Sequence, residues 1–147
     1  MTPEQKALVR ATWTQIVPIA DAAAQQFYNR LFEIDASTHG LFGAANMPAQ
    51  RKKLVQTLAV AVGSLDELDS LVPTVEDLGR RHAGYGVTDR HYDSVGTALL
   101  WTLERGLGRD WTPAAAAAWT ALYGLLANIM RSAASAPASP SKNPFAA

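Results

Sequence analysis

The sequence predicts an all-α domain of six to eight helices. Apolar residues recur at helical spacing along most of the chain, and the alternation of apolar and polar residues that is typical of β-strands does not recur. Threonine and proline stand where these runs begin, and glycine stands where several of them end. With 147 residues, 48% of them hydrophobic, the chain suits one domain with a substantial core.

A proline separates the first two predicted helices. The first helix begins at Thr2, where Pro3 fits the first turn and Gln5 can complete a capping box, and Pro18 interrupts it. The second helix, from about Ile19 to Glu33, carries large apolar side chains on one broad face: Phe27, Tyr28, Leu31 and Phe32.

An irregular corner from Ile34 to Asn46 precedes the next two helices. Pro48 fits the first turn of the third helix. Its apolar stripe is formed by Leu54, Leu58, Ala61 and Val62. The fourth helix ends at Gly84 and Gly86. Its stripe has spacings of four, three and four residues: Leu71, Val75, Leu78 and His82.

Two longer helices complete the predicted domain. Thr88 begins the first and Thr112-Pro113 begins the second. One face of the last helix is apolar: Trp119, Leu122, Tyr123, Leu126, Ile129 and Met130. From about Ser132 the composition turns to serine, alanine and proline, so we expect residues 1–131 to form the domain and residues 132–147 a disordered tail.

Composition excludes several classes of function. Basic and acidic residues number 13 each, so no long-range field attracts nucleic acid or an acidic membrane. The chain has no cysteine, which excludes disulfides, thiolate-held iron–sulfur or zinc sites and a cysteine nucleophile. The N-terminus lacks a signal-peptide pattern and no apolar run reaches membrane-spanning length. We therefore expect a cytoplasmic protein that binds neither nucleic acid nor membrane.

His82 is the most informative of the three histidines. It continues the buried stripe of its helix, whereas Arg80 and Arg81 lie on the solvated side. A core histidine satisfied by a backbone carbonyl is the commoner explanation of such a position. The alternative is a haem ligand, because haem iron needs a single imidazole among apolar residues. His39 and His91 fit surface or capping positions better.

Three further residues are candidates for a pocket, and each has an ordinary explanation. Gln50 and Leu54 lie one helical turn apart and share a face. Gln50 also fits a solvated first turn, next to the basic run 51–53. Tyr28 also fits ordinary core packing with a buried hydroxyl. Periodicity does not decide between these alternatives.

The resemblance to a known family adds to this interpretation. The segment LGRRHAGYGVTDRHYDSVGTALLWTLERGLG, followed by WTPAAAAAWTALYG, resembles neuroglobin and, more closely, bacterial single-domain globins of the hell's gate type. The likeness extends from VRATW, around Trp13, to about Met130. Phe42 falls fourteen residues after Tyr28, where globins keep a phenylalanine that stacks on haem. The resemblance implies a globin fold around a haem pocket.

The same resemblance implies roles for individual residues around one haem b. His82 stands at the position of the proximal ligand and would be the only protein ligand to iron. Gln50 stands where many globins have a distal histidine, and with Tyr28 it would stabilise dioxygen. Further cofactor contacts are implied for Phe42, Lys53, Leu54, Leu78 and Tyr92. Arg81 is a weaker candidate than Lys53 for contact with a haem propionate.

Two distal hydrogen-bond donors imply high-affinity, reversible oxygen binding, for storage or scavenging. The implied ligands are dioxygen, nitric oxide and carbon monoxide. Nitric oxide dioxygenase activity is the alternative, because Tyr28, Gln50, His82 and Tyr92 also resemble flavohaemoglobins. It would require an external reductase, since no flavin or nicotinamide domain is found in these residues. In those proteins a glutamate aligns with Ala134, so the proximal side departs from their pattern. A haem-based gas sensor is the weakest interpretation.

Overall fold

The structure, a computed structural model, describes residues 1–135. These residues form six α-helices and no β-strand, which confirms the predicted all-α fold. The helices are α1 (Pro3–Ile16), α2 (Ala20–Ile34), α3 (Met47–Gly63), α4 (Leu68–Gly84), α5 (Asp89–Leu107) and α6 (Pro113–Ser135). Short 3-10 segments lie between them: Val17–Ile19, Ala36–Phe42, Leu65–Glu67 and Gly108–Asp110.

Side-chain caps explain where the first and third helices begin. The Thr2 hydroxyl accepts a hydrogen bond from the Gln5 amide at 3.1 Å, and the Gln5 side chain accepts one from the Thr2 amide at 3.0 Å, which confirms the capping box. At α3 the cap is Asn46, whose side chain accepts from the Ala49 amide at 3.1 Å. Pro48 occupies the first turn of α3, as its fixed φ allows.

The last helix extends beyond the boundary that composition predicted. We expected a tail from Ser132, but α6 continues to Ser135 and Ala133 is buried. Alanine is the best helix former, so this stretch continues the helix where its neighbours support it. The rest of the predicted tail, residues 136–147, lies outside the described residues.

α6 also corrects the expectation that no apolar run reaches membrane-spanning length. By length and composition alone this helix could cross a membrane. It packs against α1, α4 and α5, however, and buries Trp119, Leu122 and Met130. The central helix of a globular core meets the same length and composition criterion, and these contacts fit that role.

The buried apolar side chains form two separate clusters. The larger one joins α1, α2, α5 and α6 around Trp13, Phe27, Leu31, Leu103 and Trp119. The smaller one joins α4, α5 and α6 through Val75, Tyr92, Ala127 and Met130. α3 packs on α1 and α2, α4 packs on α6, and there is no extensive contact between α3 and α4. These two consecutive helices therefore stand apart, one packed on each cluster, and the region between them is called the cleft below.

Candidate functional site

His82 lies in the last turn of α4, and its two ring nitrogens have different surroundings. Nδ1 lies 2.8 Å from the Leu78 carbonyl oxygen, so Nδ1 carries the proton and donates to it. Nε2 is then unprotonated, and no residue within 1–135 hydrogen-bonds to it. Burial lowers the pKa of His82; the Leu78 bond opposes this shift and the Arg81 charge adds to it. A neutral imidazole with a free Nε2 lone pair is the form that binds metal ions.

The turn after α4 holds His82 from its C-terminal side. The Val87 amide donates to the His82 carbonyl at 3.1 Å. Gly86 has a φ of 92°, which favours glycine at this point of the turn. Tyr85 is 67% exposed, and its ring centroid is 6.2 Å from that of His82. Tyr85 was not among the residues predicted from the sequence, although it is an aromatic residue between two glycines shortly after the histidine.

Tyr28 of α2 and Gln50 of α3 interact through their side chains on the other wall of the cleft. Tyr28 is only 5% exposed, and burial raises the pKa of its hydroxyl, which therefore stays protonated at neutral pH. The nearby Gln50 side chain lowers this pKa and partly offsets the effect of burial. The phenol of Tyr28 and the amide of Gln50 are thus close neighbours, and both groups are able to donate hydrogen bonds.

An aromatic and aliphatic wall surrounds this pair. The Phe42 ring centroid lies 5.3 Å from that of Tyr28, edge to face, and 5.8 Å from that of Phe32. Leu54 packs against the same cluster and, like Phe42, remains partly exposed. The structure thus brings Tyr28, Gln50, Phe42 and Leu54 together on the α2–α3 wall, whereas Leu78, His82 and Tyr92 lie on the α4–α5 side.

The two basic candidates for a propionate contact have different surroundings. Lys53 is exposed and forms no salt bridge within residues 1–135. Arg81 pairs with Asp77 one turn earlier at 3.3 Å. Its guanidinium is therefore already engaged, which leaves Lys53 the freer cation of the two.

Tyr92 has a buried hydroxyl that is not satisfied by any residue within 1–135. The residue is 7% exposed and packs in the smaller cluster, to which Leu78 also belongs. The Arg131 guanidinium lies 5.1 Å over its ring and pairs with Asp93 at 2.9 Å. Ala134, where the family resemblance implies a glutamate in flavohaemoglobins, is exposed on α6. Tyr92 therefore lacks the carboxylate partner that this pattern would provide.

A partly buried polar network joins the corner before α3 to the start of α5. Asp35, 2% exposed, accepts from the Ser37 hydroxyl at 2.5 Å and the Ser94 hydroxyl at 2.8 Å. His91 Nε2 lies 3.0 Å from the Ser37 hydroxyl, and His91 Nδ1 accepts from the Thr88 amide at 3.0 Å. His91 is therefore a capping residue, as predicted. The network as a whole was not predicted from the sequence, although a histidine three residues after a threonine resembles a capping box.

Comparison with known proteins identifies the family of this chain. The model of the family described as Globin matches residues 25–130, most of the chain. The chain belongs to the globin family. This globin is 30% identical to the Flavohemoprotein of Bordetella parapertussis over 132 residues, which cover 88% of the chain and 33% of the relative. The same identity and coverage apply to the Flavohemoprotein of Deinococcus radiodurans.

A third relative has a lower sequence identity. The Flavohemoprotein of Bacillus subtilis is 27% identical over 123 residues, which cover 82% of this globin and 31% of the relative. This globin therefore spans about a third of the length of the curated relatives that it matches. Membership of the globin family implies haem binding, and the residues that border the cleft are chemically suited to hold haem. It offers a neutral histidine with a free Nε2 and partly exposed apolar side chains on both walls.

Proposed function

We propose that this globin holds one haem b through His82 and binds dioxygen reversibly and with high affinity beside Tyr28 and Gln50. Storage or scavenging of oxygen is the role that suits such binding. The observation that carries the proposal is the Tyr28–Gln50 pair, which supplies two polar donors in an otherwise apolar wall. Haem, when bound, would supply an iron that His82 could hold and that could bind a diatomic gas.

The proximal residues support a b-type haem. His82 is held in one tautomer by Leu78, which directs Nε2 away from its own helix backbone. The chain has no cysteine, so it cannot form the thioether links that attach a c-type haem. The cofactor would then be held by one imidazole and by apolar packing from Phe42, Leu54 and Leu78.

The distal residues account for the expected preference for oxygen. Tyr28 keeps its proton at neutral pH because burial raises its pKa, and Gln50 adds an amide donor beside it. A hydrogen bond from such a donor to a charged acceptor contributes about 1.5–3 kcal/mol. This slows release of a polar diatomic ligand by roughly tenfold to a hundredfold. Carbon monoxide accepts hydrogen bonds poorly and would gain much less from the same pair.

Nitric oxide dioxygenase activity is the second candidate. The net reaction joins nitric oxide, dioxygen and one electron into nitrate, and the electron would come from an external reductase. Two distal donors that retain oxygen favour this chemistry. The unsatisfied Tyr92 hydroxyl argues for a weaker proximal contribution than a carboxylate partner would give. Mixing the oxygen-loaded protein with nitric oxide and measuring nitrate would test it. Sustained turnover with a reductase supports the enzyme, and a single turnover limits the protein to binding.

Titration of the apoprotein with hemin tests the central proposal. We expect one equivalent to bind, with a sharp Soret band in the ferric and ferrous states. His82→Ala should lose stable binding, whereas His39→Ala should retain it, because His39 is exposed and packs against Phe32. Wild-type protein that stays colourless, or a His82→Ala variant with an unchanged spectrum and affinity, would contradict the proposal.

A further inference from the structure

The helix that carries His82 is attached to the rest of the domain mainly through one neighbour. α4 packs extensively on α6, whereas it makes no extensive contact with α3 or α5. Val75 and Gly79 are the buried residues of α4, and Val75 packs in the cluster that contains Met130. The position of α4 therefore depends on how closely it approaches α6.

Gly79 lies directly against the backbone of α6 at Met130. A Cβ atom at Gly79 would lie 2.4 Å from the Met130 carbonyl oxygen and 2.6 Å from the Met130 Cα. Both are backbone atoms, so no change of side-chain rotamer could relieve the clash. Ordinary contact begins at 3.4 Å, so any side chain at position 79 would separate α4 from α6 by about 1 Å.

We propose that Gly79 is a positioning residue for the haem ligand, because its missing side chain sets the distance of α4 from α6 and thereby the position of His82 Nε2. Gly79 lies next to Leu78, whose carbonyl holds His82 Nδ1, and less than one turn before His82 itself. If the helix is displaced as a rigid body at Gly79, the His82 imidazole therefore moves with it. The inference rests on the proposed ligation of haem by His82.

Gly79→Ala is the direct test. We expect the iron–histidine stretching band of the ferrous protein to shift in resonance Raman spectra. Haem loss to excess apomyoglobin should be about tenfold faster or more, as expected for overpacking at a tight contact. Gly124→Ala is the matched control, because Gly124 is a helical glycine of α6 with open space around it. That variant should match the wild type in both measurements.

A second control separates displacement from general loss of stability. Val75→Ala removes buried methyl groups from the same face of α4, so it should lower the stability of the apoprotein without separating the helices. We expect its iron–histidine band to stay at the wild-type position. If Gly79→Ala does not fold in buffer alone, adding sucrose favours the folded state and allows the same band to be measured.

Detaching the ligand from the helix gives the decisive comparison. In His82→Gly supplied with free imidazole, the iron ligand no longer depends on α4, so adding Gly79→Ala should not move the iron–imidazole band. A band that shifts equally in this background, or that stays unshifted by Gly79→Ala in the presence of His82, overturns the inference. Wild-type protein without any iron–histidine band would instead refute the proposed function itself.

Discussion

Two buried tyrosines of the site differ in what surrounds their hydroxyl groups. The Tyr28 hydroxyl interacts with Gln50, whereas the Tyr92 hydroxyl has no partner within residues 1–135. Burial raises the pKa of both tyrosines, so both are protonated at neutral pH. Tyr123 is a third case, because its hydroxyl donates to the Tyr92 carbonyl at 2.6 Å. Removing each hydroxyl should therefore have a different consequence.

Tyr28→Phe should speed oxygen dissociation by about tenfold or more, because it removes the phenol that is proposed to donate to the bound ligand. Stopped-flow replacement of oxygen by carbon monoxide measures this rate. Tyr123→Phe is the control for loss of a buried hydroxyl elsewhere and should leave the rate near that of the wild type. A change below about twofold in Tyr28→Phe, equivalent to well under 1 kcal/mol, would remove Tyr28 from the mechanism.

Tyr92→Phe should leave the apoprotein equally stable or stabilise it. An unsatisfied buried polar group costs about 1–3 kcal/mol, and this substitution removes it without changing the ring. Tyr123→Phe, which deletes a hydrogen bond, should instead lower the free energy of unfolding by about 0.5–1.5 kcal/mol. Urea denaturation of both variants provides the comparison. If Tyr92→Phe loses as much stability as Tyr123→Phe, its hydroxyl has a partner after all.

At the scale of helices and their connections, the Asp35 network links two parts of the site. Asp35 and Ser37 belong to the corner that ends at Phe42, and Ser94 and His91 belong to the start of α5, next to Tyr92. Hydrogen bonds from Ser37 and Ser94 lower the pKa of Asp35 below its usual range. The folded state therefore prefers the ionised carboxylate.

Asp35→Asn should change how stability depends on pH. Folding lowers the pKa of Asp35 below 3.8, its value in the unfolded chain. The stabilisation that the ionised carboxylate provides is therefore fully present above pH 3.8, and it is lost as the pH falls through the lower pKa of the folded state. The variant should be less stable than the wild type at pH 7, and this difference should shrink on acidification. Urea midpoints between pH 7 and pH 3 measure this.

Asp66→Asn is the matched control for this experiment. Asp66 is an exposed aspartate that pairs with Arg10 and Lys6 at the surface, where ion pairs contribute little. It should show only a small difference from the wild type at every pH. An Asp35→Asn variant that behaves in the same way would mean that the network does not stabilise the ionised form.

At the scale of the whole molecule, the core and the candidate site lie within residues 1–135. Truncation after Ser135 should therefore leave hemin uptake and the thermal midpoint unchanged. Truncation after Ser132 also removes buried Ala133 and the last turn of α6, so it should lower the midpoint slightly. Differential scanning fluorimetry compares the two chains with the full-length protein. Loss of the fold after Ser135 would show that residues 136–147 contribute to it.

The all-α class could be predicted because helices follow from local spacing. The capping box at Thr2 and the histidine in the stripe of α4 depend on residues within a turn of one another. The end of α6 could not be placed in this way. Whether an alanine and serine segment stays helical depends on burial, and Ala133 is buried only because of where α6 packs.

The sequence by itself determined the helices, the globin family and the three candidate residues Tyr28, Gln50 and His82. Only the tertiary structure decided that α3 and α4 stand apart, that Tyr92 has no partner for its hydroxyl and that Gly79 meets the Met130 backbone. The physical reason is the distance along the sequence over which each kind of interaction acts. Caps and periodicity act within a few residues, whereas helix packing joins residues that are distant in sequence, and its geometry is set by all the contacting side chains together.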